Sequence, residues 1–194
     1  MIRCFIVLNL LLANQIVAQD TVKNKAHLII KTDIAMPVIG LATNYIAGSV
    51  TFEIYKGRHS FQVTGFASEI KRDGYRHNSV QIIPAYKFFL SKKKPAAGFY
   101  IGIYVKETEY YFTANKKYTA ESYYLRYKRS SIGVGALFGY QNYIKKRLVF
   151  DVLIGIGARQ VFDTKILQSE NIYVEKMKTT FADGILALNI GYRF

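Results

Sequence analysis

The sequence predicts an all-β protein, an eight-stranded antiparallel up-and-down transmembrane β-barrel with short periplasmic turns and longer extracellular hairpin loops. Three observations predict this fold. Apolar residues alternate with polar or small residues along most of the chain, which indicates strands rather than helices. The connections between these strands are alternately short and long, and the number of strands is even. The N-terminus carries the pattern of an export signal.

The N-terminal segment 1–19 has the parts of a secretory signal peptide. Arg3 provides a short basic region, an apolar stretch follows at 5–13, and a small residue precedes the expected cleavage point. A membrane-spanning helix needs about 20 apolar residues, and Asn9 already interrupts this one. We therefore expect a cleaved signal followed by a barrel domain at 20–194. The alternative is an uncleaved anchor.

The composition limits the classes of function. A net charge of +14 is typical of proteins that bind nucleic acid or an anionic surface. Predicted export removes nucleic acid from the expected partners. The single cysteine, Cys4, lies in the predicted signal, so we expect the exported chain to have no disulfide or thiol chemistry.

The first four predicted strands, 30–36, 50–55, 61–68 and 80–90, each place apolar residues on one face. The opposite face carries hydroxyl, amide, small and charged residues, as a half-buried strand requires. The apolar face includes Ile30, Ile34, Met36, Val50, Phe52, Ile54, Phe61, Val63, Val80, Ile82, Tyr86 and Phe88.

The last four predicted strands are 99–105, 132–140, 148–162 and 186–194, and they alternate in the same way. Glycine is frequent on their polar face. It weakens an exposed strand but leaves room inside a small barrel, which favours placing this face in the lumen. The glycines are Gly133, Gly135, Gly139, Gly155 and Gly157.

The connections predict the orientation. Short basic segments at 56–59, 92–98 and 145–147 lie at the same end as both termini, and we expect this end to be periplasmic. Each basic side chain near an anionic leaflet contributes about 1 kcal/mol of attraction. Longer segments, including 38–47 and 70–79, are predicted at the opposite end.

Aromatic residues near the strand ends favour lipid over water around the barrel. Such residues form girdles at the two membrane interfaces. The alternative is a secreted, soluble, lipocalin-like carrier with its apolar face inside. The girdle candidates are Tyr86, Phe88, Phe99, Tyr140, Tyr143, Phe150, Tyr192 and Phe194.

The C-terminal segment I-L-A-L-N-I-G-Y-R-F ends in an aromatic residue after alternating apolar positions. It resembles the assembly signal of bacterial outer-membrane barrels. The resemblance implies that the barrel-assembly machinery is a partner and that it reads Ile190, Tyr192 and Phe194.

Three further segments are similar to small outer-membrane barrels of unknown function that are common in Bacteroidota. They are K-T-D at 31–33 with the nearby Pro37, P-A-Y-K-F-F at 84–89, and G-F-Y-I-G-I-Y at 98–104. The resemblance implies location in the bacterial outer membrane, with outer-membrane lipid and lipopolysaccharide as neighbours. It brings no catalytic residues.

Charged residues of both signs share the predicted inner face. A buried charge must be paired and hydrogen-bonded, so we expect a lumen closed by ion pairs. An eight-stranded barrel is just wide enough for side chains to fill it. The alternative is a narrow, gated channel for small solutes. The predicted network is Lys31, Asp33, Glu53, Lys87, Asp151, Arg159 and Arg193.

Segment 106–129 is rich in tyrosine and basic residues and is expected to continue two strands as a ribbon that turns near Asn115. Tyrosine supplies amphipathic contact area at recognition surfaces, so an extracellular protein or glycan is a possible ligand. The alternative is a self-packed extension, and a second one is expected at 164–183. The ribbon residues are Tyr110, Tyr111, Lys116, Lys117, Tyr118, Tyr123, Tyr124, Arg126 and Tyr127, interleaved with Lys106, Lys128 and Arg129.

No catalytic, cofactor or metal motif is present in the sequence. Of the three histidines, only His77 is predicted at the extracellular rim, near Ser79 and Asp73. A rim enzyme acting on lipid or peptide needs such a grouping and is a minor alternative. We therefore expect a non-enzymatic role in envelope structure or in surface recognition and adhesion.

Overall fold

The computed structural model describes residues 26–37, 45–72, 74–91, 95–117, 122–145, 147–170 and 180–194. The strands form one closed antiparallel barrel in sequence order. The predicted fold class is confirmed, and the predicted signal at 1–19 lies outside the described residues. The strands are β1 (His27–Asp33), β2 (Tyr45–Lys56), β3 (His59–Arg72), β4 (Tyr75–Phe89), β5 (Gly98–Lys117), β6 (Ser122–Ile144), β7 (Leu148–Glu170) and β8 (Thr180–Arg193).

The barrel closes between the first and last strands. Ile29 of β1 lies opposite Arg193 of β8. Beyond this pair, the N–H of Phe194 donates to the carbonyl of Leu28 at 3.0 Å. Closure pairs the two edges that an open sheet would leave exposed.

Several strand ends differ from those predicted. β1 stops at Asp33 rather than at 36, because Asp33 Oδ1 accepts the N–H of Ala35 at 2.9 Å and a helical turn begins there. Within the described part of the chain, no helix is long and apolar enough to cross a membrane. The predicted loop at 70–79 is instead a continuation of β3 and β4 to a tight turn, where Gly74 has a φ of 76°.

The three longest strands, β5, β6 and β7, have 20, 23 and 23 residues. Pairing of β5 with β6 continues to Lys117 opposite Ser122, so the chain turns later than the predicted Asn115. We call residues 107–117 and 122–132 the ribbon. We call the barrel end from which it projects the long-strand end, and the opposite end the short-turn end.

The outer wall of the barrel is apolar, and the inner face combines polar and charged side chains with a buried apolar cluster. Phe52, Ile103 and Ile156 point outward and are 54%, 66% and 62% exposed. Thr51 and Gln62 point inward and are buried. Soluble barrels have the opposite arrangement, since water rather than lipid surrounds them.

Outward-facing aromatic residues collect at the short-turn end. Phe99 and Tyr140 meet edge to face with ring centroids 5.0 Å apart, as do Tyr192 and Phe194. Seven of the eight predicted girdle residues have outward parity in the strand register. Tyr143 does not, because its alternation on β6 turns it inward, where the Arg193 guanidinium lies 4.8 Å from its ring centroid.

Candidate functional site

Four charged side chains from four strands meet inside the barrel. Lys31 on β1, Glu53 on β2, Lys87 on β4 and Asp151 on β7 have completely buried side chains. Lys31 Nζ pairs with Glu53 Oε2 and lies 2.6 Å from Asp151 Oδ2. Lys87 Nζ lies 2.9 Å from Asp151 Oδ2 and 3.6 Å from Glu53 Oε2. Two positive and two negative charges therefore balance, and we call these four residues the lumen cluster.

Hydrogen bonds satisfy the remaining carboxylate oxygens of the lumen cluster. Tyr100 OH donates to Asp151 Oδ1 at 2.8 Å, and Ser60 Oγ donates to Glu53 Oε1 at 2.5 Å. Lys87 Nζ also lies 4.4 Å from the centroid of the Tyr100 ring. Buried charges are tolerated in proteins when they are paired and hydrogen-bonded in this way.

A second layer closes the interior toward the short-turn end. Ala96, in the described segment 95–97 before β5, is completely buried, and its N–H donates to the Gly57 carbonyl at 3.2 Å. Gln141 Nε2 donates to the Ala96 carbonyl at 2.9 Å. The buried rings of Phe89 and Tyr100 pack against each other with centroids 5.2 Å apart. A packed, largely apolar layer therefore lies between the lumen cluster and the short-turn end. We call this layer the floor.

Sequence reasoning missed a second buried ion pair. Lys106 Nζ lies 2.5 Å from Asp183 Oδ1, and Tyr104 OH donates to Asp183 Oδ2 at 3.0 Å. Lys106 was predicted to lie among the ribbon residues and Asp183 at the end of the second extension. Strand alternation could have identified Lys106 as an inward-facing residue, because it lies two residues after the inward-facing Tyr104.

Glycines opposite two inward tyrosines leave space for their rings. The Tyr104 ring lies against Gly135 and Gly157, and the Tyr100 ring lies against Gly139. A Cβ at any of these glycines would overlap the ring or hydroxyl and a neighbouring backbone oxygen. The glycines thus allow both tyrosine hydroxyls to reach the buried carboxylates.

A cavity of about 420 Å³ occupies the interior between the lumen cluster and the long-strand end. Its lining runs from Thr51 and Gln62, next to the lumen cluster, to His77 and Tyr110 near the rim. Hydroxyl and amide groups share the lining with aliphatic side chains such as Leu137 and Leu153, and Arg159 contributes a guanidinium. We call this space the upper cavity.

Three of the predicted lumen charges lie outside the lumen cluster. Asp33 accepts the backbone bond that ends β1. Arg159 Nη1 donates to the hydroxyl of Tyr110 near the long-strand end. Arg193 Nη1 donates to Tyr55 OH at 3.3 Å at the short-turn end. Only four of the seven predicted residues are therefore brought together.

The inner face of the ribbon packs against itself and against β4. Phe112 stacks on Tyr127 with centroids 5.0 Å apart and contacts Tyr75 at 6.1 Å. Tyr110 stacks on His77 at 5.1 Å. The predicted ribbon tyrosines are therefore divided between two faces, and Tyr110 and Tyr127 contribute to this internal stack.

The outer face of the ribbon carries the other described tyrosines. Lys128 Nζ lies 2.7 Å from Glu109 Oε1, and Tyr111 OH donates to Glu109 Oε2 at 3.1 Å. The hydrogen bond from Lys128 lowers the pKa of Glu109. Tyr118 lies outside the described residues, as do the side chains of Lys116, Lys117 and Tyr123.

A shallow surface cavity of about 330 Å³ lies on this outer face. Thr113 at its centre is opposite Arg76 of β4 and Arg126 of β6. Tyr111 and Tyr124 complete the aromatic part of the lining. Arg76 Nε is occupied, since it lies 2.6 Å from a Glu69 carboxylate oxygen, whereas Arg126 is exposed.

The histidine predicted at the rim lies on the inner face. Burial lowers the pKa of His77, so its ring is neutral at pH 7. Ser79 Oγ is 2.8 Å from Ser68 Oγ, and Asp73 lies outside the described residues. The described residues contain no group of three or more His, Cys, Asp or Glu side chains placed to hold a metal ion.

The apolar outer wall, the buried lumen cluster and the projecting ribbon define a small β-barrel. The chain belongs to the DUF3575 family, described as a protein of unknown function, whose profile matches residues 4–194. The N-terminal β-barrel domain of Pseudomonas aeruginosa OprF is a similar solved structure, with 12% sequence identity and a TM-score of 0.34. That comparison covers 89% of this chain and 100% of the OprF chain. No curated protein is significantly similar to the chain.

Proposed function

We propose that this protein is a non-enzymatic, non-conducting outer-membrane β-barrel that presents its ribbon for envelope structure, recognition or adhesion. The observation that carries the proposal is the lumen cluster. Its four charged side chains are buried next to the packed floor. The interior of an eight-stranded barrel is only just wide enough for its own side chains. Because side chains occupy the lumen at the lumen cluster, the accessible surfaces of the barrel are its outer wall, the ribbon and the upper cavity.

The surface of the barrel supports a membrane environment. Exposed apolar side chains on every second position would be unfavourable in water but match a lipid environment. The outward parity of Ile190, Tyr192 and Phe194 fits the assembly signal that the C-terminus resembles. The predicted export signal supplies a route to the outer membrane.

A non-enzymatic role is supported by the surroundings of His77. Its ring stacks on Tyr110, and the neighbouring Ser79 hydroxyl is hydrogen-bonded to Ser68. A nucleophile needs an adjacent base within hydrogen-bond reach, and the partner of the Ser79 hydroxyl among the described residues is Ser68 rather than His77.

The purified barrel, reconstituted in planar lipid bilayers, is expected to show no conductance steps in concentrated potassium chloride. The reason is that the lumen cluster leaves no width for a hydrated ion. A general porin in the same bilayer provides the positive control. Reproducible single-channel steps from the unmodified protein would favour the narrow-channel alternative and contradict the closed lumen.

The outer face of the ribbon is the surface that supports recognition. Tyr111 and Tyr124 provide amphipathic area, and Arg126 provides an exposed guanidinium beside them. Arginine binds phosphate and carboxylate groups in a bidentate manner, so anionic glycans such as lipopolysaccharide cores suit this face.

Arg126→Gln is expected to weaken binding of purified rough lipopolysaccharide to the barrel in detergent micelles by about threefold to tenfold. The loss of one charge-assisted contact is the physical reason. Fluorescence polarisation with labelled lipopolysaccharide measures the change. Lys165→Gln, at an exposed β7 position, is the matched control and should change binding little. Equal losses in the two variants would argue for general electrostatic attraction instead.

A further inference from the structure

We propose that the upper cavity binds a small solute carrying an oxyanion, such as a sugar phosphate, with Arg159 as the principal anion contact. The site lies inside the barrel, whereas the ribbon's recognition face lies outside. The inference therefore stands whether or not the ribbon recognises a ligand.

Arg159 is a cation with no carboxylate partner among the described residues. Its Nη1 donates to Tyr110 OH, while its buried Nε has no hydrogen-bond partner in the described part of the chain. The other cation lining the cavity, Lys106, is neutralised by Asp183 at 2.5 Å. Asp33, at the lower corner, accepts backbone N–H groups from Ala35 and Leu188. The lining therefore carries two cations, Lys106 and Arg159, and two carboxylates, Asp33 and Asp183, with the unpaired positive charge located at Arg159.

Further polar groups without a hydrogen-bond partner among the described residues lie on the inner wall near Arg159, outside the set of residues that line the upper cavity. The buried hydroxyls of Thr108, Ser131 and Thr164, and the Nε of Arg129, have no hydrogen-bond partner among the described residues. Thr108 is opposite Ser131, and Arg129 is opposite Thr164, in adjacent parts of the register of β5, β6 and β7. Buried polar groups are nearly always hydrogen-bonded, and the unpaired Nε of Arg159 is a donor. A guanidinium that lines a cavity suits an acceptor of opposite charge, so an oxyanion fits best.

The size and lining of the cavity indicate more than a bare ion. A volume of about 420 Å³ is much larger than a phosphate group and lies within the range of small-molecule sites. Thr64 and Gln81 offer hydroxyl and amide groups, and the faces of Phe66 and Tyr110 are also part of the lining. Such a mixture suits the hydroxyls and the apolar face of a sugar.

The barrel wall separates this cavity from the surrounding lipid. A phosphate group on a lipid in the leaflet would have to pass over the rim to reach Arg159. In the proposed orientation the long-strand end faces the aqueous side, so we assign the site to a soluble solute.

Isothermal titration of the barrel in lipid nanodiscs with glucose 6-phosphate, glucose and inorganic phosphate tests this assignment. We expect saturable binding of glucose 6-phosphate, weaker binding of phosphate, and no measurable binding of glucose. Arg159→Gln should weaken glucose 6-phosphate binding by about tenfold or more, and Arg159→Lys should restore part of it. Lys165→Gln, at an exposed position on the outside of β7, is the matched control and should leave this binding unchanged.

A second variant and a folding measurement distinguish a loss of the binding contact from a loss of the folded protein. Arg129→Gln removes the neighbouring guanidinium and should also weaken binding, with circular dichroism verifying that each variant folds. Absence of saturable glucose 6-phosphate binding, or binding unaffected by Arg159→Gln, would overturn the proposal. A response confined to nanodiscs containing lipopolysaccharide, with none to the soluble probes, would assign the anion to lipid and overturn it equally.

Discussion

Asp151→Ala should lower the free energy of unfolding by about 3–5 kcal/mol, the effect expected when one partner of a buried ion pair is removed. Asp151 lies 2.6 Å from Lys31 Nζ and 2.9 Å from Lys87 Nζ, and it accepts the Tyr100 hydroxyl. Its loss leaves two buried ammonium groups sharing Glu53. Urea titration in phospholipid vesicles, followed by circular dichroism because the chain has no Trp, measures the change.

The control variants distinguish the effect of losing a buried charge from the effect of deleting side-chain atoms. Asp163→Ala removes a 43%-exposed carboxylate 3.8 Å from Lys165 and should change stability by less than about 0.5 kcal/mol. The double variant Lys87→Met with Asp151→Asn leaves Lys31 paired with Glu53, so it should recover most of the lost stability. Equal effects of Asp151→Ala and Asp163→Ala would show that the lumen cluster contributes no electrostatic stability.

Alternation along each strand was sufficient to predict the closed barrel and its inner face. The rule is local, because successive side chains of a strand point to opposite faces. It placed Lys31, Glu53, Lys87 and Asp151 on the inner face without any knowledge of their partners. The pairing itself needed the three-dimensional register, since Lys31 and Asp151 are 120 residues apart and meet only across the closed lumen.

The misplaced residues lie where the strand limits were wrong. The predicted external ribbon includes Lys106. The alternation of β5 continues through this residue, however, and points its side chain to the interior. The predicted loop at 70–79 contains Asp-Gly at 73–74, a dipeptide that favours two-residue hairpin turns and that indicates longer strands on both sides. The unpaired state of Arg159 was beyond sequence reasoning, because parity shows which face a charge occupies but not whether an opposite charge is within reach.

Gly139→Ala should destabilise the barrel by about 2–3 kcal/mol, although it adds only one methyl group. The new Cβ would overlap the ring and hydroxyl of Tyr100 and would lie 2.5 Å from the Val152 carbonyl oxygen. Overpacking of a filled interior costs about 1–3 kcal/mol. The upper end applies here, because the displaced Tyr100 hydroxyl also loses its hydrogen bond to Asp151. The same urea titration measures this variant.

Gly65→Ala provides the matched comparison on the outer wall. A Cβ at Gly65 meets no atom within 4 Å, so this change should be neutral or should stabilise the strand by about 0.5 kcal/mol. A Tyr100→Ala background removes the ring that Gly139→Ala would meet, leaving only the strain against Val152. The loss caused by Gly139→Ala should therefore be smaller in that background. An unchanged loss would mean that backbone strain alone requires Gly139, and an effect equal to that of Gly65→Ala would contradict the close packing of the interior.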